Sequence, residues 1–279
     1  MTQACRWFGI SRQAHYQALA RQQRRQVTRE LALALLQDVR TRHPNMGIRK
    51  IYHLIRPKLR AWDLTIGRDA LFGLAREHGL LVPRRRNPRR TTRPGHRRYP
   101  NLLAQASLTA PGQAWVADIT YVFTEAGHRY VFLLMDAYSR FIVGWYLSDS
   151  LAVEGALQAL TMAHESQPPH APGCLHHSDH GIQYTARAYQ AALQRMGLRP
   201  SMGRIGNAYD NALAERVIGT LKTEYGIEGP FPSEDLARLA LEQAVTLYNH
   251  ERPHLSLQYA TPAQVHFMSW RMAGQPVNV

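Results

Sequence analysis

Three acids in the second half of this 279-residue chain stand where their chemistry needs an explanation. Asp118 lies inside Trp115-Val116-Ala117-Asp118-Ile119-Thr120-Tyr121-Val122-Phe123, a β-rich run with turn signals on both sides. An ionised carboxylate in such company is costly unless a cation or a hydrogen-bond donor compensates it. Asp179 follows Cys174-Leu175-His176-His177-Ser178 and precedes His180-Gly181, a short strand running into a glycine turn. In α/β sheets, ligands collect where strands end on their carboxyl side. Glu215 sits in Gly206-Asn207-Ala208-Tyr209-Asp210-Asn211-Ala212-Leu213-Ala214-Glu215-Arg216-Val217-Ile218-Gly219-Thr220-Leu221-Lys222. That stretch predicts a helix entered through Asn207, a good capping residue, and propagated by Ala and Leu. At about 100° per residue, Glu215, Ile218, Gly219 and Lys222 share one face. The glycine there permits close approach. Asp210 is a first-turn acid favoured by the helix dipole, and Glu224, on the opposite side, reads as an ordinary solvated charge.

Carboxylates from separate elements suit a hard divalent cation such as Mg²⁺, which takes oxygen ligands and keeps several waters. The motifs around the acids are Trp-x-x-Asp-Ile-Thr at 115–120, His-Ser-Asp-x-Gly-x-Gln-Tyr at 177–184 and Gly-Asn-x-x-Asp-Asn-Ala-x-x-Glu at 206–215. Asp179 and Glu215 are separated by 35 residues, and Lys222 lies seven positions after Glu215. Downstream stand Tyr248-Asn249-His250-Glu251-Arg252-Pro253-His254 and Thr261-Pro262. Taken jointly, from Trp115 to Gln264, these residues resemble the bacterial insertion-sequence transposases (downstream-frame type) and the retroviral integrases, with their Asp-Asp-Glu (DDE) catalytic triad.

The resemblance implies a ribonuclease-H-like core and metal-dependent DNA strand cleavage and strand transfer of a mobile element. It implies two Mg²⁺ (or Mn²⁺) ions, with Asp118 between both, Asp179 on one and Glu215 on the other. Two such ions, roughly 3.5–4 Å apart, activate the attacking oxygen, stabilise the leaving one and neutralise charge at phosphorus. Lys222, read as exposed and protonated, would grip phosphate rather than act as a base. Implied partners are transposon-end DNA and target DNA, a second copy of the chain bridging two DNA ends as a homo-oligomer, and an upstream-frame product fused by frameshifting. Two other classes compete: a DNA-binding protein with an inactive core, and a nuclease of the same fold acting on RNA–DNA hybrids.

Bulk composition agrees with a nucleic-acid partner. The net charge is +14, with 45% hydrophobic and 19% charged residues, the balance of a globular protein long enough for two domains. Residues 1–100 carry 23 Lys/Arg against 5 Asp/Glu, whereas residues 101–279 carry 11 against 15. Such segregation points to an anionic polymer at the N-terminal part and leaves the acids of the remainder for metal. No apolar run approaches a membrane span, and no lipidation motif or basic amphipathic segment favours a membrane. The N-terminus lacks a signal-peptide apolar region. Cys5 and Cys174 alone give neither a disulfide framework nor a Cys-rich zinc site, which also excludes the His₂Cys₂ module of retroviral integrases. The expected setting is the bacterial cytoplasm, in association with the nucleoid.

The positioning elements follow from periodicity. Ser11 caps a helix over 12–26, and Leu31, Leu35, Leu36 and Val39 predict a second over 27–42, stopped by His43-Pro44-Asn45. A third, over 48–59, carries Ile51, Tyr52 and Ile55 and is shortened by Pro57. Thr65 caps a fourth through His78, stopped at Gly79. Residues 48–78 can then be a helix-turn-helix with Arg68 and Arg76 as DNA contacts, or a small bundle whose basic face touches phosphate. Arg84, Arg85, Arg86, Arg89 and Arg90 open an eight-arginine segment with no acid, read as a linker that binds DNA backbone. From Leu108 the pattern turns α/β: strands 115–123, 129–135 and 141–147, helix 150–164, strand 174–178, helix 185–196, a strand near 199–202, the Glu215 helix and helix 233–250.

The expected architecture is therefore a mixed five-stranded sheet flanked by helices, preceded by a small all-α domain. Its parts are a helical DNA-binding domain (1–82), an arginine-rich linker (83–107), an integrase-like catalytic core with a C-terminal helix (108–270) and a tail (271–279). His176, His177 and His180 approach the His-x-His-x-Asp-His pattern of metallohydrolases, but Leu175 stands where the first His belongs. They are read as hydrogen-bonding or phosphate-contacting residues. Asp136 and Asp149 are strand-end turn acids, Trp115, Trp145 and Tyr130 core residues. Asn249, Arg252 and His254 are assigned to DNA or target contact, with helix capping as the alternative.

Overall fold

The computed structural model of the chain describes residues 7, 9, 11–83, 99–165, 169–203 and 212–272, with side chains through residue 268. The chain divides into two compact units, Met1–Arg85 and Arg86–Val279.

In the first unit, α1 (Arg12–Arg42) starts at Ser11, whose Oγ accepts the Ala14 N–H at 3.0 Å. It runs as one helix where the sequence suggested two. No Gly or Pro interrupts the junction at Gln26-Val27, and the flanking Gln, Arg, Ala and Leu are helix formers. Helix α2 (Ile48–Ala61) likewise passes through Pro57 instead of ending there. Its stripe of Ile48, Ile51, Ile55 and Leu59 is buried on both sides of the proline. Burying four such side chains, at roughly 1.5–3 kcal/mol each, outweighs a proline cost of about 3 kcal/mol. Helix α3 (Arg68–Glu77) has Gly67, not Thr65, at its N-cap. It closes at Gly79 (φ +65°), with Leu80 N–H donating to the Ala75 carbonyl at 2.8 Å and Gly79 N–H to that of Arg76 at 3.2 Å. Arg40 is structural: its guanidinium donates to the carbonyls of Pro44 (2.9 Å), Met46 (2.7 Å) and Leu80 (2.8 Å), tying the ends of α1 and α3 together.

The second unit is built on strands β1 (Ala114–Thr124), β2 (Gly127–Asp136), β3 (Ile142–Ser148), β4 (Leu175–Ser178) and β5 (Arg199–Met202), in sheet order β3-β2-β1-β4-β5. β1–β2 and β2–β3 pair antiparallel, and β1–β4 and β4–β5 parallel. This is the mixed five-stranded sheet expected of a ribonuclease-H-like core. Strand alternation sorts the side chains into two cores. Ala114, Val116, Val122, Val131, Leu133 and Met135 face helices α7 (Ala212–Tyr225) and α8 (Glu234–His250). Trp115, Ala117, Phe132 and Leu134 face α4 (Val153–Glu165), α5 (Ile182–Thr185) and α6 (Arg187–Arg195). The helix expected over 185–196 is α6, and the short α5 precedes it across Ala186, whose backbone is extended. A further helix, α9 (Pro262–Met272), follows α8. Gly144 of β3 faces α4 with no room for a methyl: a Cβ there would meet the Ala159 carbonyl and Ala163.

β3 forms one edge of the sheet, and side chains cover its outward backbone groups. Asn249 bonds both the N–H and the carbonyl of Ile142 (2.9 and 3.0 Å), Met162 Sδ accepts the Trp145 N–H (3.3 Å), and Arg238 donates to the Leu147 carbonyl (3.3 Å).

Candidate active site

β1 and β4 run parallel with Ala114 opposite Leu175, Trp115 opposite His176 and Val116 opposite His177, a constant offset of 61 residues. Carried two rows further, that offset sets Asp118 opposite Asp179, and adjacent strands lie about 4.8 Å apart. Alternation along β1 gives Asp118 the direction of Val116 and Val122, members of the core facing α7 and α8. β4 ends at Ser178, one residue before Asp179. Both carboxylates are half-buried and oriented by backbone: Ile119 N–H donates to Asp118 Oδ1 and Gly181 N–H to Asp179 Oδ1, each at 2.9 Å.

Glu215 lies in the first turn of α7, exposed, on the helix that packs Ala214, Val217 and Leu221 against the same face of the sheet. Residues 204–211, including Asn207 and Asp210, lie outside the described residues. The structure therefore places Asp118 on β1, Asp179 directly after the neighbouring strand β4, and Glu215 on a helix that covers one face of that sheet. Among the described residues no three His, Cys, Asp or Glu side chains form a ready-made metal cluster. Gly219, one turn after Glu215, faces open space. Lys222 is not the exposed cation the sequence suggested. It is half-buried, its Nζ 4.3 Å from the ring centroid of Tyr121, a β1 residue that spacing alone could not pair with it. Burial lowers its pKa, and Glu228 partly offsets this.

Behind the aspartates lies a cluster of rings. Tyr184 is 2% exposed, with ring centroids 5.5 Å from Tyr189 and 6.0 Å from His176. Its hydroxyl is buried without a hydrogen-bond partner among the described residues. Burial pushes the phenol pKa well up, and the charges of Tyr189, Asp118 and Asp179 add to the shift. The three histidines are internal ties, not phosphate contacts. His176 meets the Tyr189 hydroxyl at 2.8 Å, His177 the Ser201 hydroxyl at 2.9 Å, and His180 the Gly203 carbonyl at 2.6 Å.

Burial holds His176 neutral, with its pKa pulled down to about 3. The unfolded chain takes up this proton near pH 6.5, so the stability is complete above that value and is lost as pH falls toward 3. His176→Gln is accordingly expected to reduce by about 2 kcal/mol the stability lost between pH 7 and 4.5, read from urea midpoints at the two values. An unchanged pH dependence would show that His176 titrates normally in the fold.

The integrase core domain family matches residues 109–208, and a second family of the same description matches 196–262. The uncharacterized 31 kDa protein of insertion element IS600 from Shigella sonnei is 36% identical over 266 residues, covering 93% of this chain and 96% of its own. The putative transposase of IS986/IS6110 from Mycobacterium tuberculosis is 34% identical over 214 residues, covering 74% of this chain and 76% of its own. The chain belongs to the insertion-sequence transposases. Among solved structures, the HTLV-2 integrase catalytic core domain in complex with magnesium aligns with a TM-score of 0.46 at 16% identity, covering 56% of this chain and 97% of that domain. The observed strand order of the transposase, rather than that overlap, carries the fold assignment.

The C-terminal signature of the transposase is architectural, which corrects its assignment to DNA contact. Asn249 is buried and clamps Ile142. Arg252 makes a two-pronged ion pair with Glu224: Nε to Oε2 and Nη2 to Oε1, both 2.8 Å. Its Nη1 meets His254 Nε2 at 2.8 Å. The side chains of Arg252 and Glu224 are only 7% and 16% exposed, so Glu224 is not a solvated surface charge. Asp136, by contrast, is the turn acid the sequence indicated, accepting from Gly112, Tyr138 and Ser139 backbone N–H groups and the Ser139 hydroxyl.

Of the candidate DNA contacts, Arg68 and Arg76 sit exposed on α3, with Arg68 Nε 2.8 Å from Asp69. Arg84, Arg85, Arg86, Arg89 and Arg90 lie outside the described residues. No helix among the described residues is long and apolar enough to cross a membrane.

Proposed function

We propose that this transposase is a DDE polynucleotidyl transferase whose metal ligands are Asp118, Asp179 and Glu215. It cuts one strand at each end of its mobile element and joins the freed 3′-OH to target DNA. The observation that carries this reading is the position of Asp118 on β1 and of Asp179 directly after the neighbouring parallel strand β4, with Glu215 on the helix that covers one face of that sheet.

The residues present fit a hard divalent cation. The donors are carboxylate oxygens without a thiolate or imidazole among them. When bound, Mg²⁺ or Mn²⁺, two ions in this reading, supplies charge neutralisation at phosphorus and activation of the attacking oxygen. Asp118 and Asp179, which would hold the ions, gain rigidity from the sheet and from their own backbone N–H contacts. Glu215, on the first turn of a helix, can adjust as DNA docks. Lys222, two turns on, orients a phosphate oxygen.

In the cleavage step a phosphorus–oxygen bond forms to water while the bond to the element's 3′ oxygen breaks, and that oxygen leaves as a hydroxyl. In the joining step the same hydroxyl attacks a target phosphodiester in line and displaces the target's own 3′ oxygen. Residues 1–82 and the arginines of 83–107 hold DNA, with Arg68 and Arg76 among the contacts. Homo-oligomers bridge the two ends, in the bacterial cytoplasm and on the nucleoid, with an upstream-frame product fused by frameshifting or associated as a further partner.

The test is to incubate the full chain with labelled terminal inverted-repeat DNA, target DNA and Mg²⁺ or Mn²⁺. Joined product is the expected result. A gel shift without chemistry would instead mark an inactive core, and cleavage of RNA–DNA hybrids alone a nuclease.

A further inference from the structure

Among the described residues, the ammonium of Lys222 donates no hydrogen bond and closes no ion pair; what it meets is the ring of Tyr121, with Nζ 4.3 Å from the centroid. That lies well inside the roughly 6 Å over which a cation is drawn to the face of an aromatic ring. The ring offsets charge but is no ordinary hydrogen-bond acceptor, so the three N–H donors stay available.

The contact is braced from both sides. Tyr121 meets Phe123 edge to face (ring centroids 5.5 Å apart, 86° between planes) and His128 at 5.7 Å, across the β1–β2 hairpin. The chain following α7 is tied to the same strand: Phe123 N–H donates to the Glu228 carbonyl at 2.9 Å, Phe231 N–H to the Phe123 carbonyl at 2.8 Å and Glu125 N–H to the Phe231 carbonyl at 2.9 Å. Alternation turns Tyr121 to the opposite face of the sheet from Asp118. β1 pairs with β4 only through Val116, however, and meets the chain after α7 at Phe123. Along the edge between them, the side chain of Lys222 reaches from α7 to the ring. Tyr121 is 46% exposed, so the pair is open to solvent.

A lysine stem is flexible, and stilling it on binding costs side-chain entropy. A ring that fixes the ammonium beforehand removes part of that cost. Tyr121 lies three residues beyond Asp118, about 10 Å along the strand, the axial span of roughly three nucleotides of one DNA strand.

We propose that Tyr121 is a positioning residue of this transposase, its ring holding the Lys222 ammonium in place to receive a phosphate oxygen of the DNA strand being cut or joined. This rests on the reading of Lys222 as a phosphate contact. Tyr121 touches neither the reacting phosphorus nor a metal ion; it acts through Lys222.

The test compares the parent, Tyr121→Leu, Tyr121→Phe, Lys222→Met and the double variant Tyr121→Leu/Lys222→Met, all as the full chain. Single-turnover joining is measured on labelled terminal inverted-repeat DNA, and affinity for the same DNA by gel shift across a salt series. Lys222→Met should lower joining about 10-fold or more and flatten the salt slope by about one. Tyr121→Leu leaves the charge in place, so it should keep the parental slope and lower joining about 5-fold, the scale of a cation–π contact. Tyr121→Phe retains the ring face and should restore joining to within about twofold of the parent. Once Lys222 is gone, removing the ring should cost nothing further. Equal losses from Tyr121→Leu with and without Lys222 overturn the proposal, since the ring would then serve the fold or stack on a base alone. Failure of Tyr121→Phe to restore joining overturns it too, because the hydroxyl would be the working group. If Tyr121→Leu melts below the parent, Tyr121→Gln, suited to a half-exposed position, carries the same comparison. Parental joining and slope in Lys222→Met remove the phosphate reading of Lys222, and this proposal with it. A parent that joins no DNA removes the strand-transfer reading itself and overturns both.

Discussion

Asp118→Asn and Asp179→Asn each lower DNA joining by about 10³-fold or more, while binding of end DNA stays within a few-fold of the parent. Each change keeps the shape of the side chain and removes its charge. A metal-polarised phosphoryl oxygen is worth several kcal/mol of transition-state stabilisation, and about 4 kcal/mol is close to three decades in rate. Binding survives because the positive charge lies elsewhere: 23 of the 34 Lys/Arg fall within residues 1–100. Glu215→Gln should match the aspartate variants in joining despite its separate place on α7. The measurement is single-turnover joining on labelled end DNA, with affinity from gel shift at the same salt. Near-parental joining by any of the three variants would remove that residue from the metal site.

Breaking the Arg252–Glu224 pair has the largest expected effect on stability. Both partners are nearly buried and share two 2.8 Å hydrogen bonds. Burial lowers the Arg252 pKa, but the hydrogen bond and charge of Glu224 more than offset it, and the net shift is upward. Removing one member strands the other charge, at about 3–5 kcal/mol, which lowers Tm by about 10 °C for a unit of this size. Glu224→Ala and Arg252→Ala should each show this in a thermal melt. The double variant Glu224→Leu/Arg252→Met should recover most of it, because an apolar pair strands nothing. Additive losses in the double variant would mean that the two residues act independently. DNA affinity should be unaffected, in contrast to a contact role for the Tyr248–His254 signature.

The strands were legible because β1 and β2 are runs of apolar, β-branched and aromatic residues with turn residues at their ends. β5 is four residues long, Arg199–Met202, and was expected near 199–202 even though Pro200 lies inside it. Asp118 and Asp179 were visible as acids in strand context, and Glu215 through its surrounding motif. What escaped were relations between distant segments. Glu224 and Arg252 are 28 residues apart, and nothing in local spacing marks one as the other's counter-charge. Lys222 looked exposed because the ring it covers belongs to β1. Tyr184 stood in a quoted motif, but only its burial shows that its hydroxyl lacks a partner. In α2, propensity favoured a stop at Pro57, and tertiary burial overrode it.

The dressing of β3 by Asn249, Met162 and Arg238 has a consequence for solubility. An outermost strand with vacant ladder positions templates the docking of foreign chains and, at high concentration, fibre growth. With a carboxamide, a thioether and a guanidinium seated on those positions, the chain is spared that fate on this flank, and its sheet terminates at five strands.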